Sequence, residues 1–196
     1  MAVAVVDSGG ANISSVLQAL NRLGVEAVFT DEADTIQAAD KVILPGVGAA
    51  GSAMDALTRN GLVDVIRGLK QPVLGICLGM QLLFDSSAED DIDLLGLIPA
   101  RLLPLTAHPG LRVPHMGWNV VNCVQPDSLA DSLDEQWFYF VHTYAAPVGD
   151  WTLATCEHGD TFSAVVRTDN FYGAQFHPER SARSGSALLR GFLQGS

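Results

Sequence analysis

One cysteine stands in a sequence context that indicates chemistry. Cys77 follows the apolar run 72–76 and has a glycine two residues away on each side, Gly75 and Gly79. This G-x-C-x-G pattern predicts a tight turn from a strand into a helix, because small neighbours relieve the crowding and the turn presents the side chain to substrate. A helix that begins near Leu78 would stabilise a thiolate through its dipole. Cys77 is therefore a candidate nucleophile, and an ordinary buried thiol is the alternative.

A thiol nucleophile needs a base, and His177 is the first candidate among the five histidines. It follows a predicted strand and precedes a proline and Glu179, so a carboxylate across a rigid proline could orient its ring. His108 and His158 lie in polar, loop-like surroundings, which favour a position at the surface. A histidine at the end of a strand is also often a hydrogen-bonded structural residue, and that alternative stays open.

Acyl transfer by a cysteine also requires backbone N–H groups that face the developing oxyanion. Leu78 supplies one such amide if the turn forms. Gly46, Val47 and Gly48 follow another predicted strand, and a flexible loop there could supply the second. Both segments would lie at the carboxyl edge of a parallel sheet, where α/β proteins place their sites.

The same glycines also fit a function of a different class. Residues 46–51 read Gly-Val-Gly-Ala-Ala-Gly, which matches the G-x-G-x-x-G pattern of dinucleotide-binding turns. That pattern expects an acidic residue at the end of the next strand to hold the ribose, and Cys77 occupies that position instead. A third possibility is a non-catalytic interaction domain whose glycines serve packing. The joint presence of Cys77, His177 and Glu179 argues against it.

Composition restricts the partners and the setting. The chain has 196 residues, which suits a single domain over residues 1–196, and its 48% of apolar residues can build a core without disulfides or metals. A formal net charge of −11 argues against nucleic acid and anionic membranes as partners. Three cysteines without a C-x-x-C pair favour neither a disulfide framework nor a zinc site. The sequence has no basic leader and no apolar run of membrane length, so we expect a cytoplasmic protein.

Hydrophobic periodicity predicts an α/β fold. The first half alternates apolar runs with helical patterns, which is typical of a parallel sheet covered by helices on both faces, a three-layer arrangement. The second half is mostly strand-like, so we expect antiparallel hairpins that extend this mostly parallel sheet. The acidic stretch 86–93 is interpreted as a solvated loop. The predicted strands are 2–6, 25–29, 41–44, 72–76, 118–124, 137–141, 151–156, 162–166 and 171–176, and the predicted helices are 13–23, 52–69 with a break at Gly61, and 187–193.

The motifs together resemble those of the class I glutamine amidotransferases over nearly the whole chain. The cysteine turn and the His-Pro-Glu segment mark that family. Two further segments, 114–119 and 138–144, are similar to the member of the family that serves histidine biosynthesis. In chain order the motifs are Asp-Ser-Gly-Gly-Ala-Asn at 7–12, Leu-Pro-Gly-Val-Gly at 44–48, Gly-Ile-Cys-Leu-Gly-Met-Gln-Leu-Leu-Phe at 75–84, Pro-His-Met-Gly-Trp-Asn at 114–119, Phe-Tyr-Phe-Val-His-Thr-Tyr at 138–144 and Phe-His-Pro-Glu at 176–179.

The resemblance implies a mechanism and a site. Cys77 would attack the side-chain amide of L-glutamine, His177 would shuttle the proton, and Glu179 would orient His177. Ammonia would leave a γ-glutamyl thioester that water then cleaves, with no cofactor and no metal. The Pro-Gly-Val-Gly loop of the family is associated with switching of an oxyanion donor. The oxyanion donors and the glutamine contacts of the family match Val47, Leu78, Gln81, Thr143 and Tyr144 in this sequence.

The resemblance also implies a protein partner. In the histidine pathway the glutaminase forms a heterodimer with a β/α-barrel cyclase, which uses the ammonia to make imidazole glycerol phosphate and aminoimidazole carboxamide ribotide. Ammonia loses its nucleophilicity when water protonates it, so a tight interface would shelter the transfer. Aromatic residues and arginine are favoured anchors of interfaces, and the alternative for the aromatic residues is the core. The interface candidates are Asn12, Trp118, Tyr139 and Arg180.

Two positions depart from the family pattern. Arg180 follows Glu179 where the family usually has lysine, which alters one interface contact. Ala11 stands where the family often has glycine. Two alternatives stay open within the class: a glutaminase subunit of another synthase, such as anthranilate synthase, and a free-standing γ-glutamyl hydrolase. The activity of the isolated chain distinguishes the second alternative from a synthase subunit.

Overall fold

The computed structural model describes residues 1–10 and 13–195, so Ala11 and Asn12 lie outside the described residues. The first part of the chain contains β1 (Val3–Val6), α1 (Ile13–Arg22), β2 (Ala27–Thr30), α2 (Ala33–Ala38), β3 (Lys41–Gly46), α3 (Ala50–Arg59), α4 (Leu62–Arg67), β4 (Val73–Cys77) and α5 (Leu78–Gln81). The remainder contains β5 (Phe84–Ser87), β6 (Ile92–Asp93), β7 (Ile98–Pro104), β8 (His115–Cys123), β9 (Gln136–His142), β10 (Tyr144–Ala145), β11 (Thr152–His158), β12 (Asp160–Thr168), β13 (Phe171–Ala174) and α6 (Ala182–Gln194). Short 3-10 helices cover Asp131–Leu133 and Pro178–Arg180.

Nine strands of the described chain form one mixed sheet, in the order β2-β1-β3-β4-β13-β12-β11-β8-β9. The strands from β2 to β13 in this order run parallel. Both faces of β1 are buried, which explains its continuous apolar sequence. The strands from β13 to β9 are antiparallel. The expected hairpins therefore extend the sheet, and the parallel part makes up only about half of it.

Helices cover both faces of the parallel half. On one face α1 and α6 pack on Val3, Val5 and Ile43. On the other face α3 and α4 pack on Ala4 and Val6. Neighbouring residues of β1 thus enter opposite cores, as the alternation of a strand requires. The predicted three-layer α/β class is confirmed. Within the described residues, the helices are all too short or too polar to cross a membrane.

A second, four-stranded sheet in the order β10-β7-β5-β6 was not predicted. The interpretation of residues 86–93 as a loop is wrong at both ends, because Ser86 pairs with Asp93 and Ser87 pairs with Ile92. The turn between them carries Glu89, Asp90 and Asp91, while Asp93 lies in β6. The paired segments are two to four residues long and rich in Ser and Asp, so their composition hides the strands.

Glycines let α5 pass directly over the strands of the sheet. A Cβ on Gly79 would lie 1.7 Å from the carbonyl oxygen of Leu44, and a Cβ on Gly75 would lie 2.5 Å from that of Gly79. Both distances are far below van der Waals contact, so only a hydrogen atom fits at these positions. Gly46 lies opposite Cys77 in the register of β3 and β4, and a Cβ there would meet Leu78 at 2.9 Å. The predicted tight turn with small neighbours is confirmed.

The substitution Gly79→Ala should destabilise the protein strongly, because its methyl group would overlap the Leu44 carbonyl and force α5 away from β3. We expect the free energy of unfolding in urea to fall by about 3 kcal/mol or more. Gly51→Ala is the matched control, since a Cβ there meets its nearest neighbour, Asp90 Oδ2, at 3.4 Å and alanine suits the interior of α3. A Gly79→Ala variant as stable as the wild type would contradict the close approach.

Candidate active site

Cys77 occupies the turn between β4 and α5 with φ 53° and ψ −109°, a conformation that residues other than glycine rarely adopt. Such strain is typical of a nucleophile raised above a sheet. The residue is 7% exposed. Its Sγ lies 3.7 Å from the carbonyl oxygen of Val141 and 3.8 Å from Nε2 of Gln175, which donates to it. Because α5 is a single turn, the dipole that the sequence suggested is small.

The ring of His177 has a carboxylate partner. Nδ1–H donates to Glu179 Oε1 over 2.9 Å, and the ring lines the same cleft as the side chain of Cys77. Burial alone would lower the pKa of His177. The side chains of Cys77 and Glu179 outweigh burial and raise this pKa to about 10. The imidazolium form of His177 is therefore favoured at neutral pH.

The segment that carries His177 is held against strand β9. The N–H of His177 donates to the carbonyl oxygen of Tyr139 over 2.9 Å. The hydroxyl of Ser181 accepts from the N–H of Tyr139 over 2.9 Å and donates to the carbonyl oxygen of His177 over 2.7 Å. Ser181 is fully buried, so this hydroxyl has no water to bond instead. The position of the His177 imidazole thus depends on β9. The spacing of His177 and Glu179 in the sequence did not indicate this dependence.

A cleft of about 340 Å³ opens beside Cys77 and His177, a volume typical of a small-molecule site. The cleft brings together most of the residues that the sequence predicted. Gly46 and Glu179 lie outside its lining and contribute, with His177, to a smaller cavity of about 20 Å³. The predicted residues that line the cleft are Val47, Gly48, Cys77, Leu78, Gln81, Thr143, Tyr144, His177 and Arg180.

Three residues of the site were missed by sequence reasoning. Gln175 is fully buried and contacts Cys77, and its only signal is a lone polar residue within the apolar run 171–176. Glu89 lines the cleft, and its Oε2 accepts from the N–H of Ala50 over 2.9 Å, although its acidic surroundings indicated a solvated loop. His142 also lines the cleft. The alternation of β9 places it on the inner face, but the sequence does not give its partners.

The dinucleotide alternative finds no support in this geometry. Gly46 packs against Leu78 in the cysteine turn and therefore does not leave its backbone open to a pyrophosphate. The strand after α3 and α4 ends in Cys77, where the ribose ligand would be acidic. Among the side chains of residues 1–10 and 13–195, no group of three or more His, Cys, Asp and Glu is arranged to hold a metal ion.

The outer face of strands β8 and β9 is apolar and exposed. Met116, Trp118 and Trp137 are 65%, 49% and 56% exposed, so Trp118 is not a core residue. Trp118 pairs with Tyr139 across the strands, and their rings meet edge to face at 6.1 Å. The guanidinium of Arg180 lies 5.8 Å from the centre of the Tyr139 ring. We call Met116, Trp118, Trp137 and Tyr139 the outer apolar face; of the predicted interface residues, only Asn12 falls outside the described chain.

The fold and the site define a class of enzyme, and comparison with known proteins agrees. The model of the family "Glutamine amidotransferase class-I" matches residues 4–194. Two solved structures have the same fold: a glutamine amidotransferase, with a TM-score of 0.75 at 21% identity over 98% of this chain and 97% of that one, and PurLQS from Thermotoga maritima, with a TM-score of 0.71 at 18% identity over 98% and 97%.

Similar sequences narrow the class to one family. The imidazole glycerol phosphate synthase subunit HisH of Xanthomonas axonopodis pv. citri is 51% identical over 99% of this chain and 98% of its own length. HisH of Idiomarina loihiensis is 50% identical over 99% and 98%, and HisH 2 of Legionella pneumophila strain Paris is 52% identical over 97% and 96%. The chain belongs to the class I glutamine amidotransferases and, within them, to the HisH subunits of imidazole glycerol phosphate synthase.

The substitution Glu179→Gln should lower the pKa of His177, because it removes one of the two groups that raise it to about 10. Titration of the His177 ring by NMR should therefore end at a lower pH than in the wild type. Since the folded pKa exceeds the unfolded value of 6.5, the stability that this charge contributes is complete below pH 6.5 and is lost as the pH rises through about 10. An unchanged His177 titration in Glu179→Gln would contradict the pairing.

Proposed function

We propose that this chain hydrolyses L-glutamine with Cys77 as nucleophile, His177 as proton carrier and Glu179 as the residue that orients His177, and that it delivers the ammonia to a β/α-barrel cyclase. The observation that carries the proposal is the placement of His177, whose Nδ1 donates to Glu179 Oε1 over 2.9 Å and whose ring lines the same cleft as Cys77. If His177 had only a structural role, it would not need a neighbouring thiol that is held on a strained turn beside a cleft.

The chemistry follows from this geometry. The thiolate of Cys77 attacks the carboxamide carbon, and the oxyanion of the tetrahedral intermediate binds backbone N–H groups. The imidazolium of His177 gives its proton to the leaving nitrogen, so ammonia departs and a γ-glutamyl thioester remains. His177 then takes a proton from water, which attacks the thioester and releases glutamate and the thiolate. Glu179 keeps the Nδ1 proton in place, so that Nε2 serves both steps.

The cleft offers groups that suit the amino-acid end of glutamine. Glu89 lines it with a carboxylate, which can pair with the α-ammonium group. Gln81 donates both N–H groups of Nε2, to the Tyr144 carbonyl and to Gln175; its Oε1 then faces substrate as an acceptor. Thr143 completes the lining beside Tyr144. This assignment keeps the roles that the resemblance gave to Gln81, Thr143 and Tyr144 and adds Glu89.

The second oxyanion donor comes from the loop after β3. Leu78 donates from the cysteine turn, and Val47 donates when its peptide turns into the cleft. Gly48 has φ +98°, and among the described residues no heavy atom lies within 4 Å of where a Cβ would stand, so this end of the loop can rotate at little steric cost. Gly46 is fixed by its contact with Leu78. The loop therefore has one fixed end and one rotatable end, as a switch requires.

The outer apolar face is the docking surface for the cyclase. Exposed aromatic residues beside a cleft are typical of protein interfaces, and Val141, on the same outer side of β9, lines the cleft. A partner that covers this face would also cover the mouth of the site. Ammonia would then pass between the subunits without meeting bulk water, in the heterodimer that makes imidazole glycerol phosphate. Such biosynthesis belongs to the cytoplasm.

The decisive experiment measures glutamate release from L-glutamine by the purified chain, alone and with a cognate cyclase that holds its ribotide ligand. We expect strong stimulation by the loaded cyclase. Cys77→Ala should reduce the rate by at least about a thousandfold, since it removes the nucleophile. A chain that is fully active alone and indifferent to the cyclase would instead be a free-standing γ-glutamyl hydrolase. Stimulation by a different synthase subunit only would assign it to another pathway.

The docking surface is tested separately. Trp118→Ala should weaken binding of the cyclase by about tenfold or more, as loss of an aromatic anchor does, measured by titration calorimetry. Val28→Ala is the control, because Val28 is 55% exposed but lies on β2 at the opposite edge of the sheet, and its affinity should match the wild type. Equal affinities for the wild type and Trp118→Ala would exclude this face as the interface.

A further inference from the structure

A continuous chain of hydrogen bonds runs through the protein from strand β8 to the nucleophile. We propose that two histidines of this chain, His115 and His142, are positioning residues for glutamine hydrolysis, which hold the Tyr144 carbonyl and through it Gln81 and Gln175 beside Cys77. The proposal rests on the glutaminase function proposed above. His115, His142, Gln81 and Gln175 are buried, so their polar atoms depend on one another.

The first arm of the chain leads from Tyr144 to Cys77. The carbonyl oxygen of Tyr144 can only accept, so the atom of Gln81 that lies 2.9 Å from it is the donor Nε2. The second N–H of Gln81 Nε2 donates over 2.9 Å to Oε1 of Gln175. This contact turns Nε2 of Gln175 towards Cys77 Sγ, at 3.8 Å. The Tyr144 carbonyl thus fixes the orientation of both amides and provides the sulfur with an N–H donor that would stabilise a thiolate.

The second arm leads from Tyr144 to β8. His142 Nδ1 lies 2.9 Å from the same carbonyl oxygen and must carry a proton. In a neutral ring Nε2 then accepts, and it lies 3.0 Å from His115 Nδ1, which must therefore be the protonated nitrogen of that ring. His115 Nε2 accepts from Asn119 Nδ2 over 3.3 Å, and Asn119 Nδ2 also donates to the carbonyl oxygen of Glu157 over 2.8 Å. Every donor that this arm names has an acceptor.

This polarity requires both imidazoles to be neutral. If His142 gained a second proton, its Nε2–H would face the Nδ1–H of His115, and the hydrogen bond between the two rings would be lost. Burial, with a smaller effect from the charge of His158, lowers the pKa of His115 to about 4. Burial also lowers the pKa of His142 to about 3, although the hydrogen bond to the Tyr144 carbonyl opposes this shift. In contrast to His177, neither ring has a carboxylate partner among the described residues.

The arrangement serves the reaction as well as the fold. Tyr144 and Gln81 line the cleft together with His142, and Gln175 contacts the attacking sulfur. Loss of the His142 bond frees the Tyr144 carbonyl, and Gln81 can then reorient. A purely structural pair of histidines would affect unfolding and leave glutamine binding unchanged in the folded enzyme. This difference separates the two roles.

The test compares variants in the complex with the loaded cyclase. His142→Phe keeps an aromatic ring and removes the donor, so KM for glutamine should rise by about tenfold, the factor of one ordinary hydrogen bond, with a smaller change in kcat. His142→Asn can offer Nδ2 to the Tyr144 carbonyl and should recover part of the loss. His158→Phe is the control, because His158 stacks on His115 at 4.0 Å but bonds to the carbonyl oxygen of Arg112. Its KM should equal that of the wild type.

Thermal unfolding of each variant checks that the variant is folded. If His142→Phe does not fold, His115→Phe repeats the test at the next histidine of the hydrogen-bond chain. An unchanged KM in a folded variant of either histidine would overturn the proposal. A second readout needs no activity: nitrogen NMR of the wild type should give the Nδ1–H tautomer for both His115 and His142. An Nε2–H tautomer in either ring would also overturn it. A wild type with no glutaminase activity would count against the proposed function and leave the tautomer result standing.

Discussion

The passage of α5 over strands β3 and β4 is the constraint on which the site depends. Gly79 lies so close to the Leu44 carbonyl that a Cβ would stand 1.7 Å from it. This approach lets the chain reverse directly after Cys77, whose φ of 53° follows from the sharpness of the turn. The thiol therefore rises from the carboxyl edge of the sheet instead of entering a core. The backbone N–H of Leu78 belongs to the same turn, so a single feature positions both the proposed nucleophile and one proposed oxyanion donor.

Histidines in this protein take opposite protonation states because their partners differ. His177 is buried but has a carboxylate and a thiol beside it, and its pKa rises to about 10. His142 is buried and bonds to a carbonyl oxygen and another imidazole, and burial lowers its pKa to about 3. The low dielectric of the interior strengthens both effects. One ring is thus suited to carry a proton in the reaction, while the other is suited to hold a fixed direction of hydrogen bonding. Two roles arise from one residue type through the charge of the neighbours.

The sequence predicts the parts of the site that are local in the chain. Cys77 between two glycines, and His177 two residues from Glu179, are patterns that a short segment specifies by itself, and alternating strands and helices predict the layers. Gln175 and Ser181 could not be predicted, because their roles come from partners about 100 and 40 residues away. The second sheet was missed because two of its strands are very short and polar. Local geometry is therefore readable from the sequence, whereas long-range hydrogen bonding is not.

The antiparallel half of the sheet explains why one strand can serve both the site and the outer apolar face. In the sheet order β9 is the edge strand, separated from β4 by four others. Yet Tyr139 accepts from the N–H of His177, and the rings of Phe138 and Phe176 stack at 4.0 Å. The sheet must curl back on itself for these contacts to form. Because residues alternate along β9, Phe138 and His142 face inwards, while Trp137, Tyr139 and Val141 share the outer side. Because Cys77 Sγ lies 3.7 Å from the Val141 carbonyl oxygen, only strand β9 separates a molecule bound to the outer side from Cys77.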